Sequence, residues 1–423
     1  MMKKYPLLCT ITHALIAAFL MLLIGCTLLY CGAAAAHAGP DDSFTVFIAT
    51  DLHYIASSLT DNGSYFMAVT ENADGKYMPG CEVLTDAFVE QVIREKPDAL
   101  LLSGDLSFNG ARDSHLMLAE KLKKIRDAGI PVLVIPGNHD LNYPMAASFH
   151  GESITLVPSI MPEEFSNIYA DFGYTDALAR DAGSLSYMAE LTPDLWVLMV
   201  DVNTLEAPGI LTDGTLAWIR EQLELAQSRN VHVIGVSHQT LLAHSFLSYG
   251  VQMGGGEQLL KLYEEYGVLC NLSGHMHIQH IQLADSGFAD IAGSALITWP
   301  NQFGVLTLQG SLAEYRTEYV RVENDPDFAV AAQRFRLDTD LRHAHAELDS
   351  LGITESADAL SDFYAHINLA YISGRLDLAD WSSPQFAEWQ SVPSLVAYYL
   401  RTLRDDPIQN HIRFSFPLPD IPS

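Results

Sequence analysis

Basic residues are scarce in this chain of 423 residues: Lys and Arg number 23 against 52 Asp and Glu, a net charge of −29. Binding of DNA or RNA rests on Lys and Arg meeting phosphates, so a nucleic acid polymer is excluded as a partner. Cysteine is scarce too. Of the five, Cys9, Cys26 and Cys31 fall in the amino-terminal segment, which leaves Cys81 and Cys270. Two thiols cannot build the disulfide framework that staples small secreted domains, and the sequence leaves open whether they pair. No internal repeat or heptad run is present, so there is no case for a solenoid or a coiled coil. Charged residues make up only 18% against 49% hydrophobic, a globular composition and not a disordered one. A chain of this length can bury a large core and carry two domains.

What the amino terminus does have is a long apolar run. Lys3 and Lys4 precede residues 14–30, the order of charge then hydrophobe found in export signals. Leu23-Ile24-Gly25-Cys26 resembles a bacterial lipobox, with Cys26 as the lipidated residue, and Ala36-His37-Ala38 before Gly39 fits ordinary signal cleavage. A retained anchor is the third route, since about 20 apolar residues span a bilayer. All three put the protein outside the cytoplasm, either secreted or attached to the outer side of the cytoplasmic membrane. Residues 1–40 are therefore assigned to targeting and excluded from the fold.

Five short motifs follow, each directly after an apolar, often β-branched run. Asp51-Leu52-His53, Gly104-Asp105, Gly137-Asn138-His139-Asp140, His238 and Gly274-His275-Met276-His277 come after runs at 44–50, 99–102, 132–135, 231–236 and 268–272. Such runs read as buried strands. In α/β proteins ligands bind where strands end and loops begin. The residue types are imidazole, carboxylate and amide oxygen, a set suited to Mn, Fe, Zn or Ni rather than Ca or Mg. Asp105 carries enough lone pairs to bridge two cations.

These motifs resemble the calcineurin-like metallophosphoesterase family, whose signature is D-x-H, G-D, G-N-H-D/E, H and G-H-x-H. Each element is present, in order, over residues 44–310. The resemblance implies an α/β fold, a β-sandwich flanked by helices (αββα), with two divalent metals at the strand ends. It implies that Asp51, His53, Asp105 and His277 hold one metal, and that Asp105, Asn138, His238 and His275 hold the other. Two metals about 3.5–4 Å apart can share a water, lower its pKa and aim the resulting hydroxide at phosphorus. His139 is then the expected proton donor to the leaving oxygen, with Asp140 orienting it and favouring its protonated form. Asn109 and His115, on the stretch leading away from Asp105, are expected at the substrate, against turn formation and core packing as their alternatives. Gly104, Gly137 and Gly274 are expected to permit backbone conformations that a β-carbon would hinder.

Within the family the full pattern is most similar to class III cyclic-nucleotide phosphodiesterases, in particular an exported bacterial subgroup with a helical carboxy-terminal domain. The resemblance implies a phosphodiesterase acting on a small diester, with 3′,5′-cyclic nucleotides as the leading substrate. A broad phosphomonoesterase or nucleotidase is the alternative on the same fold. A non-catalytic surface binding module is the alternative of another class.

Between the motifs, helices are expected at 82–96, around Leu116–Ile125 and after Asp213 as N-cap. Residues 54–80 and 141–190 form long connections beside the site, where lids or specificity walls often lie. From residue 323 to 423 the spacing predicts three helices. These form a small all-helical domain that caps the catalytic domain (41–322), shapes its cleft or mediates dimerisation. No motif specifies an oligomeric state.

Overall fold

Two mixed β-sheets carry the motifs. The computed structural model describes residues 43–71, 74–245, 251–419 and 421, so the expected export signal and Cys9, Cys26 and Cys31 lie outside the described residues. The first sheet has the spatial order Arg413–Pro417, Leu312–Tyr319, Gln302–Gln309, Phe44–Ala49, Ala99–Leu102, Val132–Val134. Its last three strands are parallel, with Val46 opposite Ala99 and Leu100 opposite Val132. The second has the order His280–Leu283, Ala289–Ala292, Asn271–Ser273, His232–Ser237, Leu195–Val200, Tyr187–Thr192, Ala179–Arg180. Asn271–Ser273, His232–Ser237 and Leu195–Val200 are parallel too. Parallel strands end on one side, so each sheet delivers the residues that follow its strands to one edge.

Side-chain alternation along Leu195–Val200 explains the layering. Leu195, Val197 and Met199 join the core shared with Val46, Ile48 and Leu101 of the first sheet. Trp196, Leu198 and Val200 point the other way, into a core with Ile219 and Leu223 of helix Asp213–Ser228 and Leu259 of helix Gly256–Tyr266. On the first sheet, Phe303 packs between Phe47 and Phe88, the latter from helix Cys81–Glu95. Strand period two thus gives sheet against sheet, with helices outside. The cap of helix Asp213–Ser228 is Thr212, whose hydroxyl accepts from the Thr215 amide, and not Asp213, which is its first helical residue.

Cys81 and Cys270 are buried free thiols, and burial pushes the Cys81 thiol up to about 12. No helix among the described residues is long and apolar enough to cross a membrane.

The carboxy-terminal helices are Phe328–Ser350, Ala357–Ile372, Pro384–Trp389 and Leu395–Arg404. Pro393 divides what the spacing predicts as one last helix, and the Ser394 hydroxyl caps the second piece by accepting from the Ala397 amide. Their core gathers Leu348, Leu360, Ile367, Trp389, Leu400 and Leu403 around Ile278 of the fifth motif. Full burial of each such side chain stabilises by about 1.5–3 kcal/mol. Residues Phe44–Ser423 form one compact unit. The tail is not helical to its end: Arg413–Pro417 returns as an edge strand, with Phe414 opposite Tyr315. Its alternation of Phe414 and Phe416 with polar neighbours has strand period, and a proline is tolerated at such an edge.

Candidate metal centre

Asp51 and His53 follow strand Phe44–Ala49, Asp105 follows Ala99–Leu102, and Asn138 and His139 follow Val132–Val134. His238 follows His232–Ser237, while His275 and His277 follow Asn271–Ser273. Five of these residues have left-handed backbones: Asp51 (φ 53°), His53 (43°), Asp105 (47°), His275 (68°) and His277 (56°). Each non-glycine residue held there costs on the order of 1–3 kcal/mol, a strain that concentrates at functional sites. The glycines serve two needs. Gly104 has φ 98°, whereas Gly137 and Gly274 give room: a β-carbon would fall 2.2 Å from the Asp105 amide nitrogen and 1.8 Å from Thr50 Oγ1, respectively.

The side chains converge in two groups with Asp105 in both: Asp51, His53, Asp105 and His277, and Asp105, His238 and His275. In the first, Asp51 Oδ1 lies 3.2 Å from His277 Nε2 and 3.7 Å from His53 Nε2. His53 Nε2 is 3.2 Å from His277 Nε2 and 3.7 Å from Asp105 Oδ2. Nitrogen and oxygen ligands of one cation at about 2.1 Å are spaced by about 3.0–3.5 Å, close to these separations. Asp51 Oδ1 is buried without a well-directed donor, and its other oxygen accepts from Thr50 Oγ1 and the His275 amide.

The second group shows the same mismatch that a cation would relieve. The Ser103 carbonyl can only accept, so His238 Nδ1 carries the proton that bridges their 2.8 Å contact. Nε2 of the neutral ring is then an acceptor, yet it faces Asn138 Oδ1 at 3.1 Å and Asp105 Oδ1 at 3.4 Å. Without an ion the ring takes a second proton. Burial opposes this, but the Asp105 carboxylate outweighs it and carries His238 up to about 9. Burial would likewise raise Asp105, and the imidazoles led by His238 hold it well below the carboxylate range instead. Burial and the charge of Lys76 push His53 well down, and burial followed by His238 brings His275 down to about 4. These donors fit two divalent ions.

His139 stands at the rim with its side chain 24% exposed, Nε2 lying 3.9 Å from Asp105 Oδ2. Its Nδ1–H donates to the Phe108 carbonyl at 2.9 Å, which leaves Nε2 as the proton-exchanging atom. Tyr143 stacks on its ring at 5.1 Å and 19°. Asp140 does not orient His139, contrary to expectation. It is buried, and it accepts from the amides of Leu106, Ser107 and Gly137 and from the Ser107 hydroxyl, at 2.8–3.0 Å. Asp140 therefore ties the Asp105 loop to the Asn138 loop. His115 and Asn109 are not at the substrate side either. His115 is buried against Tyr169 Oη and the Asp140 carbonyl, and Asn109 Nδ2 donates to the Ala147 carbonyl. Both loops close over these polar groups, and so burial wins over solvent.

One supporting residue has no motif. Asp290, on strand Ala289–Ala292, is buried and accepts from the amides of Leu241 and Leu242 (2.7 Å each), Asn271 Nδ2 (2.9 Å) and Ser273 Oγ (3.1 Å). It also meets His244 Nε2 at 3.1 Å, and His244 in turn contacts His280, whose Nε2 is 2.7 Å from Asp406. His280 is thus buried within this network. Asp290 joins the loop after His238 to the strand before His275, and its only signal in the sequence is an acid within an apolar strand. Asp290→Ala leaves five donors without an acceptor and is expected to cost about 3–5 kcal/mol, read from denaturant midpoints. Burial would raise the Asp290 carboxyl, but His244 and the hydrogen bonds hold it below its ordinary value. Its stabilisation is therefore present above the unfolded carboxylate's pKa and lost as pH falls through the folded one, so the gap to the variant should close in acid.

Two parallel-strand edges bearing this donor set form a site for two divalent ions. The chain belongs to the calcineurin-like phosphoesterase family, which residues 44–279 match. That family works with a dinuclear divalent metal centre. A glycerophosphodiester phosphodiesterase, GpdQ, from Enterobacter lignolyticus is 27% identical over 186 residues, 44% of this chain and 58% of the relative. The chain therefore spans a little over half the length of that curated relative. Among solved structures, a dimetal phosphatase from Danio rerio is 16% identical, covering 66% of this chain and 96% of its own, with a TM-score of 0.47. GAP50, described as the anchor in the inner membrane complex of Plasmodium, is 13% identical, covering 69% and 93%, with a TM-score of 0.36.

Proposed function

We propose that this protein hydrolyses a small phosphate diester at the centre built on Asp105, and that 3′,5′-cyclic nucleotides are its leading substrates. The observation that carries the reading is the placement of Asp105 in both ligand groups with His139 Nε2 beside it at 3.9 Å. Asp51, His53, Asp105 and His277 would hold one divalent ion, and Asp105, Asn138, His238 and His275 the other. Such a pair supplies a water acidic enough to ionise near neutral pH and neutralises the phosphate oxygens. The chain's own residues do the rest. The Phe108 carbonyl fixes Nδ1–H of His139, so that Nε2 can hold a proton and pass it to the leaving oxygen. The Asp140 carboxylate keeps the two loops in register, and the buried acids set the negative field that retains the cations.

The name of the GpdQ relative favours a diester over a monoester and offers glycerophosphodiesters as a second substrate reading. We further propose that the enzyme works outside the cytoplasm, on the strength of Lys3, Lys4 and the apolar run after them. The test is turnover by the Mn²⁺-loaded full chain of bis-p-nitrophenyl phosphate beside p-nitrophenyl phosphate. Diester turnover at least about tenfold above monoester turnover is the expected result. A monoester preference would replace the reading with a phosphatase.

A further inference from the structure

The fifth motif has a second face. Met276, between the two histidines His275 and His277, packs with Ile278 against the core of the carboxy-terminal helices. The Gln279 amide donates to the Ile372 carbonyl at 2.9 Å, fastening the same loop to helix Ala357–Ile372. Between loop and helices lies a cavity of about 510 Å³ that has His275 and His277 in its wall. That size falls within the range of small-ligand sites, about 300–1,000 Å³.

Three tyrosines from two helices wall this cavity: Tyr364 and Tyr371 of Ala357–Ile372, and Tyr399 of Leu395–Arg404. The rings of Tyr364 and Tyr399 are 6.3 Å apart at 54°, and those of Tyr371 and Tyr399 are 5.9 Å apart at 74°. The two charged side chains in the wall, Asp74 and Arg336, are each paired, Asp74 with Lys76 Nζ at 3.7 Å. The Arg336 guanidinium forks onto Asp340, whose Oδ1 also accepts from Asn368 Nδ2 at 2.8 Å, while Asn368 Oδ1 accepts from Tyr399 Oη at 2.8 Å. Tyr371 is 5% exposed, and its hydroxyl is buried without a hydrogen-bond partner. The wall therefore offers aromatic faces, and its charged side chains are paired, so it carries no unpaired negative charge to draw a quaternary ammonium.

We propose that this cavity is the subsite for the ester substituent of the substrate, and that it selects a neutral planar ring. The proposal rests on the phosphodiesterase reading and deepens it: the carboxy-terminal helices supply specificity while the strand-end motifs supply the chemistry. A ring held against Tyr364 would place its phosphate towards His275 and His277, with no rearrangement of the metal-binding loops.

The test uses the Mn²⁺-loaded full chain and three p-nitrophenyl diesters whose second substituent is methyl, phenyl or choline. The wild type should take the phenyl ester with a KM about tenfold or more below the other two, as expected for one aromatic contact. Tyr364→Ala should bring the phenyl-to-methyl ratio of KM close to one with kcat for the phenyl ester little changed, and Tyr364→Phe should restore it. Leu395→Glu, at a position 73% exposed on the rim and so safe for folding, should raise KM for the phenyl ester most. Equal KM for all three esters in the wild type would overturn the subsite and leave the phosphodiesterase reading intact. So would a choline ester that is preferred and lost in Tyr364→Ala. No turnover of any diester would instead overturn the phosphodiesterase reading itself.

Discussion

Asp105→Ala is expected to empty both cation sites and to lower diester turnover by at least about 10⁴-fold, because water without a metal is far less acidic than metal-bound water. Asp105 is the one residue common to both ligand groups among the described residues. Its Oδ1 accepts from the His139 amide at 2.8 Å and faces His238 Nε2 at 3.4 Å, while Oδ2 faces His53. Removing the carboxylate therefore costs each ion a ligand and leaves His238 and His53 without their shared anion. It also frees the loop that bears His139. Metal content measured on the purified variant separates this cause from a fault in the chemistry. Two ions per chain retained in Asp105→Ala would contradict the bridging role.

His139→Ala is expected to reduce kcat by about 10²–10⁴-fold, the range for loss of one general acid, with metal content unchanged. The prediction follows from the position of the ring. His139 is in neither ligand group, its Nδ1–H is committed to the Phe108 carbonyl, and Nε2 faces the site. A proton donor matters more as the leaving oxygen becomes more basic. The loss should therefore be larger for an alkyl leaving group than for p-nitrophenolate. Equal losses on both would mean that His139 positions the substrate and donates no proton. A drop in bound metal would mean that the ring supports the Asp105 loop through its amide and does little else.

The strands leading to the site were legible because burial on both faces leaves an unbroken apolar run. The run at 99–102 coincides with strand Ala99–Leu102, and the run at 44–50 with Phe44–Ala49 to within one residue. The helix expected at 82–96 is Cys81–Glu95, again within one residue, since apolar positions at helical spacing mark its buried face. Loop side chains were less legible. Asp140 and Asn109 lie in or beside the motifs, yet each turns into the protein, while His115 sits on the buried face of helix Arg112–Asp127 with Leu118, Leu122 and Ile125. The hairpin of Ala147–His150 and Ser153–Leu156 was hidden for another reason. Its second strand, Ser153–Leu156, alternates polar and apolar residues over only four positions, and it is wholly exposed, so no buried face marks it within the long connection. Asp290 acts through contacts distant in sequence, with Leu241 and Ser273 among its donors, which no local pattern records.

The account rests on two cations held by one shared carboxylate and serving a diester. The most direct measurement is the rate on bis-p-nitrophenyl phosphate and p-nitrophenyl phosphate for the chain stripped of metal, and again after stepwise addition of Mn²⁺. The account predicts negligible turnover when stripped and recovery that is complete only at two ions per chain, with the diester preferred. Turnover of the diester that survives stripping, or none after full loading, would contradict it.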